Sequence, residues 1–273
     1  MRRGIVSILT LLCLFVTAPV YAAGWVLYDD FKSGVIDPLK WIGQESGDVG
    51  RESARIITSQ KLNLIERGYG NTDSDAGLPT VKTMLYLTNP QNIRGIKATV
   101  KLLDLEVIGC DNNTSPVQIF ARLMGYFFNT GPQVPDSAAN DVFALIGIRR
   151  FSDSIDPEDT ARVEVRIKRC LDDACRLMDT WFTKDLGTIK KGQQAVLSVE
   201  WDRTHHRFIF QRDLQKAVVF AYDRKAYPDT LVSTYGGKRM DAYIEVPNCI
   251  SPPRPTGYIN ALFDNVYIKT LSP

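Results

Sequence analysis

Histidine is almost absent from this chain: His205 and His206 are the two in 273 residues. A serine-type hydrolase needs a histidine held by a second group, and histidine-rich zinc sites need several. Both residues fall in or beside a turn-like stretch, Asp202–His205, and read as exposed turn residues. Charge of one sign is missing too. The chain has 33 Lys+Arg against 31 Asp+Glu, a formal net charge of +2, and Arg2 and Arg3 lie in an N-terminal export signal. A near-neutral mature chain excludes nucleic acid and anionic membrane surfaces as partners, because both need concentrated positive charge. No Gly-rich phosphate or dinucleotide pattern occurs. After the signal, no apolar run approaches the roughly 20 residues of a spanning helix. Long amphipathic helices are missing as well.

The N-terminus reads as a secretory signal. Met1–Gly4 is short and basic, Ile5–Val16 is apolar apart from Ser7 and Thr10, and Val20 and Ala22 suit a peptidase site. Cleavage after Ala22 is expected, leaving residues 23–273 as one exported domain, periplasmic or extracellular, with no membrane span. Four cysteines then remain: Cys110, Cys170, Cys175 and Cys249. An even number in an exported chain predicts disulfides. Cys170 and Cys175 bracket a hairpin tip and suit a local bridge, which leaves Cys110 to pair with Cys249 across a long loop. Zinc is disfavoured by the Cys-x4-Cys spacing.

Alternation with period two dominates the rest. In 161–168, Val163, Val165 and Ile167 alternate with Arg162, Glu164, Arg166 and Lys168. In 96–102, Ile96, Ala98, Val100 and Leu102 form the apolar set. In 117–127, Val117, Ile119, Ala121, Leu123 and Phe127 point one way, with Gln118, Arg122 and Tyr126 opposite. Val142–Ile148 is nearly all apolar and reads as a central strand. Segments 195–201 and 207–211 flank Asp202–His205 as a hairpin, and Lys190–Gly192 is another turn. Segments 132–141 and 152–160 read as surface loops. About a dozen strands result, and two antiparallel sheets packed face to face bury them most simply. The fold class is therefore all-β, a two-sheet antiparallel β-sandwich.

Two stretches carry a resemblance. Near the start stand Tyr28–Gly34 (YDDFKSG), Ile36–Pro38, Lys40 with Trp41, Arg51 with Glu52, and Lys61–Leu64. At the end stands Ala261–Ile268 (ALFDNVYI). These resemble the first and last strands of the concanavalin A-like lectin/glucanase (LamG-like) jelly roll. The middle segments Arg122–Gly131 and Leu186–Asp202 are similar to exported bacterial proteins with such a domain. The resemblance implies that fold over most of the mature chain.

Enzymes of that family place carboxylates on one strand as Glu-x-Asp-x-x-Glu, so that two aim into one cleft. This chain has no such run; Asp104 with Glu106, Glu164 and Glu200 are its nearest approaches. The resemblance also implies a structural Ca²⁺ held by an Asp of the last strand. Asp264 would supply the carboxylate, with Asp30 or Asp29 contributing. Asp264 shares parity with Leu262, Val266 and Ile268, and a carboxylate on the core side needs a partner or a cation. A β-bulge at Asp264–Asn265 is the alternative, turning that side chain outward.

For binding, the outward residues Gln118, Arg122, Tyr126, Arg149, Glu164 and Arg166 are candidates to line the concave face of one sheet. The four tryptophans read as packing residues. The functional expectation is an exported, non-catalytic module that binds carbohydrate or another envelope or extracellular ligand through one sheet face. The alternatives are a structural or protein-interaction module of the envelope and a divergent glycoside hydrolase.

Overall fold

The computed structural model describes residues 24–88, 90, 92–232 and 237–270. The expected signal segment lies outside the described residues. Sixteen strands run through the described part, more than the dozen expected from alternation, because short edge strands carry too few residues to show a period. One sheet holds β1 (Val26–Asp29), β3 (Gly50–Thr58), β4 (Lys61–Tyr69), β6 (Ile93–Ile108), β11 (Gln194–Asp202), β12 (Arg207–Arg212), β13 (Val218–Ala221) and β16 (Thr256–Thr270). The other holds β2 (Trp41–Gly47), β5 (Thr80–Leu87), β7 (Gln118–Asn129), β8 (Asp141–Phe151), β9 (Thr160–Cys170), β10 (Met178–Lys190), β14 (Thr230–Leu231) and β15 (Lys238–Glu245). The first runs β13-β12-β11-β6-β16-β4-β3, with β1 on β16; the second runs β10-β9-β8-β7-β15-β5-β2, with β14 on β7. All pairings are antiparallel. Among the described residues no helix is long and apolar enough to cross a membrane.

The alternating sets meet between the sheets. Ile96, Ala98, Val100 and Leu102 from one sheet and Val163, Val165 and Ile167 from the other are wholly buried in one shared core. Ile119, Ala121, Leu123 and Phe127 of β7 join it, as do Met240, Ala242 and Ile244 of β15. Full burial of such a side chain contributes about 1.5–3 kcal/mol each, so a one-residue slip in any of these strands would cost several times that. Trp41 and Trp201 are buried packing residues, as expected.

The start of the chain shows why its Asp-Phe element matters. Asp29 is buried and accepts from the Phe31 backbone N–H at 2.9 Å and from the Trp41 indole N–H at 2.8 Å. Phe31 is fully buried at a φ of 52°, a left-handed conformation unusual for an aromatic residue. The carboxylate holds the turn that drives this ring into the core, where it stacks on Trp41.

Both disulfides form: Cys110 with Cys249 and Cys170 with Cys175. Such bridges persist in oxidising compartments. The second ties the β9–β10 hairpin loop, as its spacing predicted.

One core-facing position is acidic. Glu66 shares parity with Leu62 and Leu64 and is fully buried. Burial pushes its carboxyl up to about 7, against the opposing effects of the Ser53 hydroxyl, 2.8 Å away, and of Arg51. A carboxyl raised this way stabilises the fold fully below its unfolded value, and that stability is lost as pH rises toward 7. Glu66→Gln mimics the protonated form. It should match the parent near about pH 4 and exceed it by about 3 kcal/mol near about pH 9 in urea unfolding. Parallel unfolding curves for the two proteins across that range would show that Glu66 ionises freely in the folded state.

Candidate functional site

The outer face of the β7-containing sheet is where the sequence-predicted residues converge. Cross-strand register explains how. Lys82 of β5, Tyr243 of β15 and Phe120 of β7 lie in one row. Asp241 of β15, Arg122 of β7, Gly147 of β8 and Glu164 of β9 form the next. Arg239, Met124, Leu145 and Arg166 follow. Tyr126, Phe143 and Lys168 complete the face. Gly147 opens its centre: a Cβ there would stand 2.5 Å from Arg122 Cβ and 2.6 Å from a Phe120 ring carbon. Those two side chains lean over the space it leaves.

This face is not the plain wet surface that alternation suggested. Gln118, Arg122, Arg239 and Asp241 are buried. Phe120, Met124, Phe143 and Leu145 pack with Ala138 and Cys170 into a second apolar cluster. The covering comes from loops. Segment 132–140, expected at the surface, folds back so that Ala138 N–H donates to Asp173 O at 2.9 Å and Asn140 N–H to Cys170 O at 2.9 Å. The Ser137 hydroxyl donates to the Asp173 carboxylate at 2.5 Å. The Cys170–Cys175 loop and this segment therefore make one wall above the sheet. Beside it opens a pocket of about 140 Å³. Gln118, Arg122, Tyr126 and Arg166 line it, together with Lys82, Lys168, Arg239 and Tyr243, which alternation in 117–127 could not reveal. Arg149 and Glu164 stand beside it, tied to Arg166 through the Glu164 carboxylate.

Its electrostatics are ordered by two arginine–carboxylate triads. Arg122 Nε and Arg239 Nε reach the two Asp241 oxygens at 2.6 and 2.9 Å. Burial alone would raise the Asp241 carboxyl, but the charges of Arg122 and Arg239 overcome it and hold it below the usual range. Glu164 is likewise clasped, by Arg149 at 2.6 Å and by Arg166. Glu245 accepts from the Tyr243 hydroxyl at 2.5 Å and from the Gln118 amide at 3.0 Å. Arg122 also covers the Tyr243 ring, 4.2 Å from its centre. The remaining cations differ. Among the described residues, Lys82 and Lys168 make no hydrogen bond or ion pair. Burial pushes both ammonium groups down, and nearby arginines add to it: Arg239 and Arg122 at Lys82, Arg122 and Arg149 at Lys168. Tyr126, packed on Phe143 with ring centres 5.4 Å apart, presents an aromatic surface at one end.

No protein-family model matches this sequence, and no curated protein does. Solved structures align with most of the chain at low identity. A GlcNAcα1-4Gal-releasing endo-β-galactosidase from Clostridium perfringens aligns over 93% of this chain and 65% of its own, at 12% identity and a TM-score of 0.44. A glycoside hydrolase family 16 endo-glucanase from Bacteroides ovatus aligns over 89% of this chain and 98% of its own, at 15% identity and a TM-score of 0.44. For LamAcat from Zobellia galactanivorans the figures are 89%, 96%, 14% and 0.42. The chain thus spans 65% of the length of the first of these. At such identities the likeness is one of fold.

The carboxylates singled out as nearest to a glucanase pattern are scattered. Asp104 lies in the other sheet, paired with Lys191 at 2.6 Å, and Glu200 in that sheet pairs with Lys269 at 2.7 Å. Glu106 is exposed in the same sheet. Glu164 alone of these reaches the pocketed face.

Parity placed Asp264 on the core side; the structure instead has the alternative, a bulge that turns the side chain outward. Ala261 and Phe263 point inward, then Val266 and Ile268 do; the pairing with β6 slips between Asp264 and Tyr267. Asn265, at a φ of 50°, makes this bulge and shifts the phase, so Asp264 shares its face with the outward Leu262. Asp264 lies 3.2 Å from Lys61, and Asp30 lies 2.6 Å from Lys32. Lys32 also feels Asp264, and these carboxylates, Asp30 foremost, raise its ammonium above the usual value. Asp29 is spent on Phe31 and Trp41. Lysine ammonium groups thus pair with Asp264 and Asp30, two of the carboxylates expected of a calcium site.

His206 also departs from expectation. It is half-buried rather than exposed, with Nδ1 3.0 Å from the buried carboxylate of Asp229. His205 is exposed and lies 2.8 Å from Asp202 in the turn.

Proposed function

We propose that this protein is an exported, non-catalytic module that binds carbohydrate at the outer face of the β7-containing sheet. The observation that carries this reading is the pocket itself. Aromatic surface from Tyr126 and Phe143 stands beside fixed donors from Arg122, Arg166 and Gln118, the combination that suits sugar rings and their hydroxyls. The family resemblance of the first and last strands points to the same ligand class. The carboxylates of this face support a binding role over hydrolysis. Glycoside hydrolysis needs one carboxyl that holds a proton and a second that is free to act. Asp241 is locked ionised between two arginines, and Glu164 is clasped by two more. Glu245, which lines the pocket and accepts from Tyr243 and Gln118, is left without a second free carboxyl beside it among the described residues.

A glycan array probed with the purified protein tests this. Binding should fall about tenfold or more on Tyr126→Ala or Arg166→Met, with thermal melts showing that both variants fold. Silence across the array, or binding unchanged in both variants, overturns the reading. Release of reducing sugar from β-glucans, abolished by Glu164→Gln, would overturn its non-catalytic part.

A further inference from the structure

The sugar-binding reading leaves the chemical class of the sugar open, and the charges of the pocket narrow it. Most cations on this face are spoken for. Arg122 and Arg239 share Asp241, and Arg149 and Arg166 share Glu164. Lys82 and Lys168 line the same pocket without a hydrogen bond or ion pair among the described residues. They are held there at a cost. Each is partly buried, and each lies near guanidinium groups that repel it. Carboxylates do act on them at longer range, Asp241 and Asp48 on Lys82, Glu245 and Glu164 on Lys168, yet their net environment still disfavours the charged form. A solvated lysine would turn away from such a place, since its stem is flexible and its head hydrates strongly. The two stand on opposite sides of the pocket, Lys82 on β5 and Lys168 on β9, with β8, β7 and β15 between. Four strand spacings of about 4.8 Å set their backbones roughly 19 Å apart across the sheet, and three rows of register set them roughly 20 Å apart along it, so a chain laid obliquely over the face passes both.

We propose that the ligand of this face is an anionic carbohydrate, a sugar chain bearing carboxylate or sulfate groups, and that Lys82 and Lys168 receive those groups. An acidic substituent supplies the counter-charge that the protein withholds. The arginine triads set the shape of the floor, and the two lysines provide selectivity for charge. This rests on the carbohydrate reading above and adds to it the class of sugar.

The test uses matched probes. Oligogalacturonate is compared with its methyl ester, and a dextran sulfate oligomer with unmodified dextran, by titration calorimetry at two salt concentrations. At least one acidic probe should bind, its neutral partner should bind more weakly, and added salt should weaken the acidic complex. Which acidic probe binds tells carboxylate from sulfate. Lys82→Met with Lys168→Met should reduce affinity for that probe about 10- to 100-fold. Lys216→Met with Lys225→Met, which removes the same charge from exposed loop positions outside the pocket lining, should leave it unchanged. Equal binding of acidic and neutral probes, or equal loss in both double variants, overturns the anionic assignment. If a neutral glycan binds and depends on Tyr126, the carbohydrate reading stands without it. If no glycan of either kind binds, both fall.

Discussion

Replacing Asp241 by Asn is expected to cost the fold about 3–5 kcal/mol. Asp241 is fully buried, and it is the shared partner of two nearly buried guanidinium groups. With the carboxylate neutralised, Arg122 and Arg239 face each other without a counter-charge in a site that water cannot enter freely. Arg239 keeps its bond to the Tyr86 hydroxyl at 2.8 Å, which does nothing for the repulsion. Urea unfolding of Asp241→Asn beside the parent checks this. The combined variant Arg122→Met, Asp241→Leu, Arg239→Leu should regain much of the loss, because an apolar replacement removes all the buried charge together. Equal stability of Asp241→Asn and the parent would mean that the triad is hydrated and that the pocket floor is soft. The pH dependence has a definite sign. The Asp241 carboxyl sits below the usual range, so its contribution is intact above that range and is lost as acid titrates the folded form.

Removing the Cys110–Cys249 bridge should cost nearly as much, about 3–5 kcal/mol in the chain-entropy account. The bridge closes a sequence separation of 139 residues. That loop holds every strand from β7 to β15, and so every strand of the pocket floor except β5. It joins the chain just past β6 to the chain just before β16, two strands that pair side by side in the opposite sheet. Opening it frees the unfolded chain far more than it loosens the native ladder. Cys110→Ala with Cys249→Ala should therefore lower the urea midpoint with little change in spectroscopic signature. The Cys170–Cys175 bridge spans a separation of 5, and its removal should cost about 2 kcal/mol by the same reasoning. Its effect should appear instead in ligand affinity, because that loop walls the pocket. A larger stability loss for the short bridge than for the long one would contradict the entropic picture.

How much of this was legible beforehand varies from residue to residue. Lys168 and Arg166 could be placed on an outward strand face from the alternation of β9 alone. The segment Lys238–Glu245 carries an equally clear signal, with Met240, Ala242 and Ile244 set against Arg239, Asp241, Tyr243 and Glu245. It holds the key carboxylate of the floor, but nothing local says which strand will lie beside β7. Asp264 stood between two readings. Parity assigns it to the core, and the alternative, a bulge at Asp264–Asn265, is what the chain forms, with Asn265 in the left-handed conformation; which of the two wins depends on the pairing with β6.

Alternation of apolar and ionic side chains sufficed to determine that the chain forms two stacked antiparallel sheets, and cysteine spacing sufficed for the local bridge and, by elimination, for the long one. These are short-range properties, set by which side of a strand each residue must face and by how near two thiols lie along the chain. The pocket belonged to the tertiary structure. Residues from β5, β7, β8, β9 and β15 meet there because register aligns them, and register is fixed by core packing summed over the whole sheet. The same packing buries one set of arginines against carboxylates and leaves two lysines without an ion pair among the described residues, a difference that depends on dielectric surroundings and distance rather than on residue type.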